Sequence, residues 1–117
     1  MGRTDYVTIP NVILDAGTII HLEEIDCLRL LLDFKRLIIP DSILFTDDAS
    51  ARLVAKTLGI RAYGTIGVLL RAIRRSQITP HEAIGKLEEI PLKSTLFIRR
   101  SLLREIIEEV KREFGLG

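Results

Sequence analysis

The chain has 117 residues, 47% hydrophobic and 28% charged, with a formal net charge of +1. That balance predicts a single domain over residues 1–117 with a core of its own, excludes an intrinsically disordered chain, and gives no overall field that announces a polyanionic partner. The lone Cys27 excludes a disulfide framework and a zinc-finger spacing, and no apolar segment approaches the length of a membrane span, so an intracellular, cytoplasmic protein is expected.

In chain order, a first strand is predicted over residues 6–14, leading into Asp15-Ala16-Gly17-Thr18, a turn-rich helix start. Leu22, Ile25, Leu28 and Leu32 then recur at helical spacing up to Phe34, with Cys27 inside the apolar pattern as a buried, inert thiol. Leu37-Ile38-Ile39 predicts a second strand, stopped by Pro40, and Ile43-Leu44-Phe45 a third. After Asp48, the pattern Ala51, Leu53, Val54, Leu58 predicts a helix closed by Gly59 in a left-handed cap. Residues 60–63 form a brief fourth strand, and Gly64-Thr65 opens a helix with Thr65 as its cap. Thr79-Pro80-His81-Glu82 carries a hydroxyl cap, a first-turn proline and a glutamate three residues on, predicting a helix that runs to about Glu89, before Pro91. A last helix covers residues 98–114, with Leu102, Leu103, Ile106, Ile107 and Val110 on its inner face.

Continuous apolar strands alternating with helices predict a mainly parallel sheet followed by C-terminal helices. One join resists this reading. Only Pro40-Asp41-Ser42 separates residues 37–39 from 43–45, whereas a parallel crossover needs about a dozen residues or more. The two runs therefore pair antiparallel, or form one bent segment, or lack a crossover.

Two strands end in bare carboxylates, Asp15 and the pair Asp47-Asp48. Open α/β sheets place ligands at that end of their strands, and acids gathered there form an all-oxygen donor set of the kind that takes Mg²⁺ or Mn²⁺. A divalent ion so held supports phosphodiester hydrolysis. Asp15, Asp47 and Asp48 are thus the candidate metal-binding and catalytic residues, with Thr46 as a donor orienting one of them. Helix capping is the rival explanation for Asp15 and Asp48. Asp41, after Pro40, reads as a turn residue. His21 and His81 lack a ligand partner at i+4 and are read as non-catalytic. Arg71, Arg74 and Arg75 cluster at helical spacing; they are candidates for RNA backbone contacts or form a solvated helix face.

The run Val12-Ile13-Leu14-Asp15-Ala16-Gly17-Thr18, then Leu44-Phe45-Thr46-Asp47-Asp48-Ala49-Ser50-Ala51-Arg52, then Gly64-Thr65-Ile66-Gly67-Val68-Leu69-Leu70, resembles PIN-domain proteins, most closely a prokaryotic branch of predicted nucleic-acid-binding proteins related to VapC-type toxins. The resemblance implies a three-layer α/β/α fold around a mainly parallel sheet and a Mg²⁺- or Mn²⁺-dependent ribonuclease acting on single-stranded RNA. Asp15 matches the family's first acid, Asp47 and Asp48 the later acidic pair or its vicinity, and Thr46 the polar residue before it. A homodimer and a small antitoxin protein as partner are implied as well. The chain departs from the family where helices bearing a further acid, usually glutamate, stand before the Thr-Asp-Asp strand; here Ser42 runs straight into Ile43. A catalytically inactive PIN-like module for protein binding or dimerisation is therefore the alternative.

Overall fold

A computed structural model describes residues 6–9, 12–31 and 43–116. Their elements run β1 (Tyr6–Ile9), β2 (Val12–Asp15), α1 (Ala16–Glu24), β3 (Ile43–Phe45), α2 (Ala49–Thr57), β4 (Arg61–Tyr63), α3 (Thr65–Arg74), α4 (Pro80–Lys93) and α5 (Arg100–Glu113). The sheet order is β1-β2-β3-β4, with β1 antiparallel to β2, and β2, β3 and β4 mutually parallel.

The strand expected over residues 6–14 is instead two strands, with Ile9 registered opposite Val12. Pro10 has no N–H to give to a ladder and Asn11 is a turn-forming type, a signal that the apolar run obscured. β3 pairs in parallel with β2, Leu14 opposite Phe45, so α1 and residues 25–42 together connect them. The strand expected at residues 37–39, and with it Pro40 and Asp41, lies outside the described residues.

The helix expected to reach Phe34 stops at Glu24. Asp26 adopts φ 57°, Cys27 N–H donates to the Leu22 carbonyl at 2.8 Å and Asp26 N–H to that of Glu23 at 3.0 Å. This left-handed closure satisfies carbonyls that a helix end otherwise orphans. It recurs at Gly59 (φ 76°), as the sequence predicts, and at Ser76 (φ 59°) and Gly115 (φ 71°).

The predicted capping box of α4 is present: Thr79 Oγ1 accepts from Glu82 N–H and the Glu82 carboxylate from Thr79 N–H. The helix nevertheless passes Pro91 and ends at Lys93. Pro91 sits exposed in the last turn; its ring withdraws the bond to the carbonyl four residues back, while the Ile90 carbonyl still bonds Ser94 N–H at 2.9 Å.

Leu22, Phe45, Leu69, Leu87 and Ile90 are fully buried and join α1, β3, α3 and α4 in one core. On α5, Leu103 and Val110 are buried as expected, while Leu102 is exposed. Cys27 is buried among these apolar groups, and desolvation pushes its thiol above the usual range, which suits an inert side chain. No helix among the described residues is long and apolar enough to cross a membrane.

Candidate functional site

The register of β2 against β3 carries Asp15 and Thr46 to the same carboxyl edge of the sheet. Thr46 is fully buried, and its hydroxyl donates to Asp15 Oδ2 at 2.8 Å while accepting Asp48 N–H at 3.2 Å. One hydroxyl thus joins the first acid to the backbone of the last. The sequence offers Thr46 as a donor to one of the aspartates, and the carboxylate it meets is that of Asp15.

Each of the three aspartates also stands at the start of a helix. Asp15 Oδ1 accepts from Gly17 N–H at 2.9 Å and caps α1. Asp48 Oδ1 accepts from Ser50 N–H at 2.9 Å and from Ala51 N–H at 3.4 Å, and caps α2. Asp47 reaches across to α3, where Oδ1 takes Thr65 N–H at 2.6 Å and Oδ2 takes the Thr65 hydroxyl at 2.7 Å. Thr65 is therefore not the cap of α3. Gly64 occupies that position without a side-chain bond, and Asp47 does the capping from another strand end. Three helix N-termini converge on one edge, each with one of the acids accepting from its first-turn N–H groups.

His21, set aside in the sequence, closes the arrangement: its Nδ1 lies 2.7 Å from Asp47 Oδ2, and both side chains are largely buried. Nothing local in the sequence signals a pair 26 residues apart. Gly64 is required by space. A Cβ there would come within 2.7 Å of Asp47 Oδ1 and 2.8 Å of Arg52 Nη1. Arg52 in turn donates to the Thr46 carbonyl at 3.0 Å.

The structure does not bring Arg71, Arg74 and Arg75 to this edge. They lie towards the far end of α3 from Thr65; the helix has 10 residues, so Arg74 stands about 14 Å along its axis. Arg74 faces Glu113 of α5 at 3.5 Å instead.

A cleft of about 350 Å³ opens beside Asp47, walled by Arg52, Tyr63, Gly64, Phe97 and Leu102 among others. Phe97 belongs to the segment between α4 and α5, which Glu24 of α1 ties down: its carboxylate accepts from Thr95 N–H at 2.7 Å, Thr95 Oγ1 at 3.0 Å and Ser94 Oγ at 3.1 Å. These donors, the Thr95 backbone first, hold the Glu24 carboxyl below its ordinary range.

A family model described as DUF3368, a PIN domain, matches residues 40–112. The chain belongs to this PIN-domain family. No curated protein and no solved structure matches the sequence. PIN domains are generally metal-dependent nucleases, which poses the question of what these acids could hold. Among the described residues no three His, Cys, Asp or Glu side chains converge as a ligand set. Asp47 commits both oxygens to three protein donors, whereas Asp15 and Asp48 each keep lone pairs to offer. That donor set falls short of a closed cage. It fits the hard cation that takes one or two carboxylates and fills its remaining positions with water and substrate phosphate.

Proposed function

We propose that this PIN domain is a divalent-metal-dependent ribonuclease of single-stranded RNA, weakened by loss of a middle acidic segment, in which Asp15 and Asp48 hold Mg²⁺ or Mn²⁺. Asp47 belongs to the same catalytic edge as the residue that braces it. The observation that carries this reading is the Thr46 hydroxyl shared between Asp15 Oδ2 and Asp48 N–H at the ends of β2 and β3. Bound there, the ion supplies charge stabilisation at a phosphate oxygen and a bound water of lowered pKa. The chain's own residues orient: Thr46 fixes the Asp15 carboxylate, and the first-turn N–H groups of α1 and α2 hold it and the Asp48 carboxylate in place. A three-layer arrangement, a homodimer, cytoplasmic location and a small antitoxin partner belong to the same proposal and rest on the resemblance to VapC-type toxins.

The test is cleavage of a labelled, unstructured RNA with Mn²⁺. Slow cleavage that stops with EDTA and in both Asp15→Asn and Asp48→Asn is expected; equal cleavage by the Asp15→Asn protein would overturn the assignment. A second reading, a catalytically inactive module that binds a protein or dimerises, is favoured by the lack of a third converging ligand among the described residues. Absence of any metal-dependent cleavage by the intact protein selects it.

A further inference from the structure

The basic residues singled out in the sequence stand at the wrong end of α3, so the question is what the acidic edge offers an anionic polymer. Two clefts flank β4 and share Arg52, Ala62 and Tyr63. The first, beside Asp47, carries Phe97, which is 84% exposed. The second, of about 610 Å³, is lined by Arg52, Lys56 and Arg61 and, among the described residues, by no acid. Lys56 and Arg61 are exposed, one from α2 and one from β4.

We infer that the two clefts form one track for single-stranded nucleic acid, with Arg52, Lys56 and Arg61 facing phosphates and Tyr63 and Phe97 facing bases. The inference deepens the ribonuclease reading and rests on it for the identity of the polymer as RNA. Charge complementarity selects the occupant. Among the described residues, three cations without an acid line the second cleft and suit a phosphodiester backbone better than a mixed protein surface. The aromatic pair selects the strandedness, because rings stack only on bases freed from pairing. The shared wall makes the track continuous: Tyr63 lies in both clefts, and Asp47, next in sequence to Asp48, lies in the first.

The test uses the full chain and a fluorescent, unstructured RNA oligonucleotide in EDTA, so that binding is read by anisotropy without cleavage. Phe97→Ala should raise Kd about fivefold or more, and Phe97→Trp should bind as tightly as the parent, since every base has a π-face to stack. The double variant Lys56→Ser/Arg61→Ser should flatten the dependence of log K on log salt by about 1.4, roughly 0.7 for each lost phosphate contact on a single strand. Far-ultraviolet dichroism confirms that the variants are folded. Parental affinity and salt slope in both the Phe97→Ala and the double variant would overturn the track, as would a parent protein that does not bind the RNA. So would a Phe97→Ala protein that loses self-association yet binds RNA unchanged, which assigns the apolar wall to a second copy. Cleavage with Mn²⁺ is scored separately: binding with these dependences but without cleavage sinks the nuclease and keeps the track, and cleavage indifferent to the variants does the reverse.

Discussion

His21 Nδ1 and Asp47 Oδ2 stand 2.7 Å apart, linking the last turn of α1 to the segment just after β3. With the two bonds from Thr65, this pair makes Asp47 a junction of α1, β3 and α3. Asp47→Ala leaves a largely buried amide, hydroxyl and imidazole without their acceptor and should cost about 2–4 kcal/mol of stability; His21→Ala should cost about 1–2 kcal/mol. Urea denaturation followed by dichroism reads both. An Asp47→Ala protein as stable as the parent would remove the bracing role.

Thr46→Val keeps the shape of a fully buried side chain but removes the hydroxyl between Asp15 and Asp48. If the acids hold a metal, Mn²⁺ affinity and cleavage should each fall about 10- to 100-fold, the usual effect of losing a group that orients a ligand. Calorimetric titration with Mn²⁺ checks it, and unchanged affinity would show that Asp15 needs no such orientation.

Gly64→Ala is expected to act on the same junction without removing any hydrogen-bonding group. The added methyl meets Asp47 Oδ1, Arg52 Nη1 and the Thr46 carbonyl, the last at 3.1 Å. Relief requires the Asp47–Thr65 contact to open, at about 1–3 kcal/mol. A lowered thermal midpoint is the outcome to look for; Gly67→Ala, whose Cβ would stand 3.6 Å from the Tyr63 ring, is the control with the smaller effect.

The tether from Glu24 to Thr95 and Ser94 should make stability depend on acid pH. Its folded-state pKa is depressed, so its contribution is complete above the ordinary carboxylate range and disappears as pH falls through the lowered value. Glu24→Gln should therefore lower the urea midpoint at neutral pH and converge with the parent in strong acid. A gap between the two that persists at the lowest pH would contradict the assignment.

Ser76 holds φ 59° at the close of α3, where the sequence offers no glycine. A side chain in that region is strained, so Ser76→Gly should stabilise the protein by about 0.5–1 kcal/mol after glycine's own entropic cost. The thermal midpoint should rise.

What could be read from the sequence was local. The cap at Asp48, the left-handed close at Gly59 and the box at Thr79 each involve residues within a few positions of one another, and all three are present. The end of α1 escaped because its signal is an aspartate in a glycine's conformation, with apolar spacing continuing past it. The basic cluster and the proposed track differ for a related reason. Arg71, Arg74 and Arg75 are neighbours in sequence, whereas Arg52 and Arg61 meet only once α2 packs on β4. The roles of Asp47 and His21 depend on contacts spanning 18 and 26 positions, which no periodicity encodes.

Arg61 has a consequence beyond any ligand. It sits on β4, a strand of three residues at the outer end of the described sheet. An outermost strand presents hydrogen-bonding groups that can recruit another chain, and brevity and charge are the usual safeguards against such aggregation. Among the described residues, the exposed Arg61 guanidinium proposed to greet phosphate places such a charge on such a short strand.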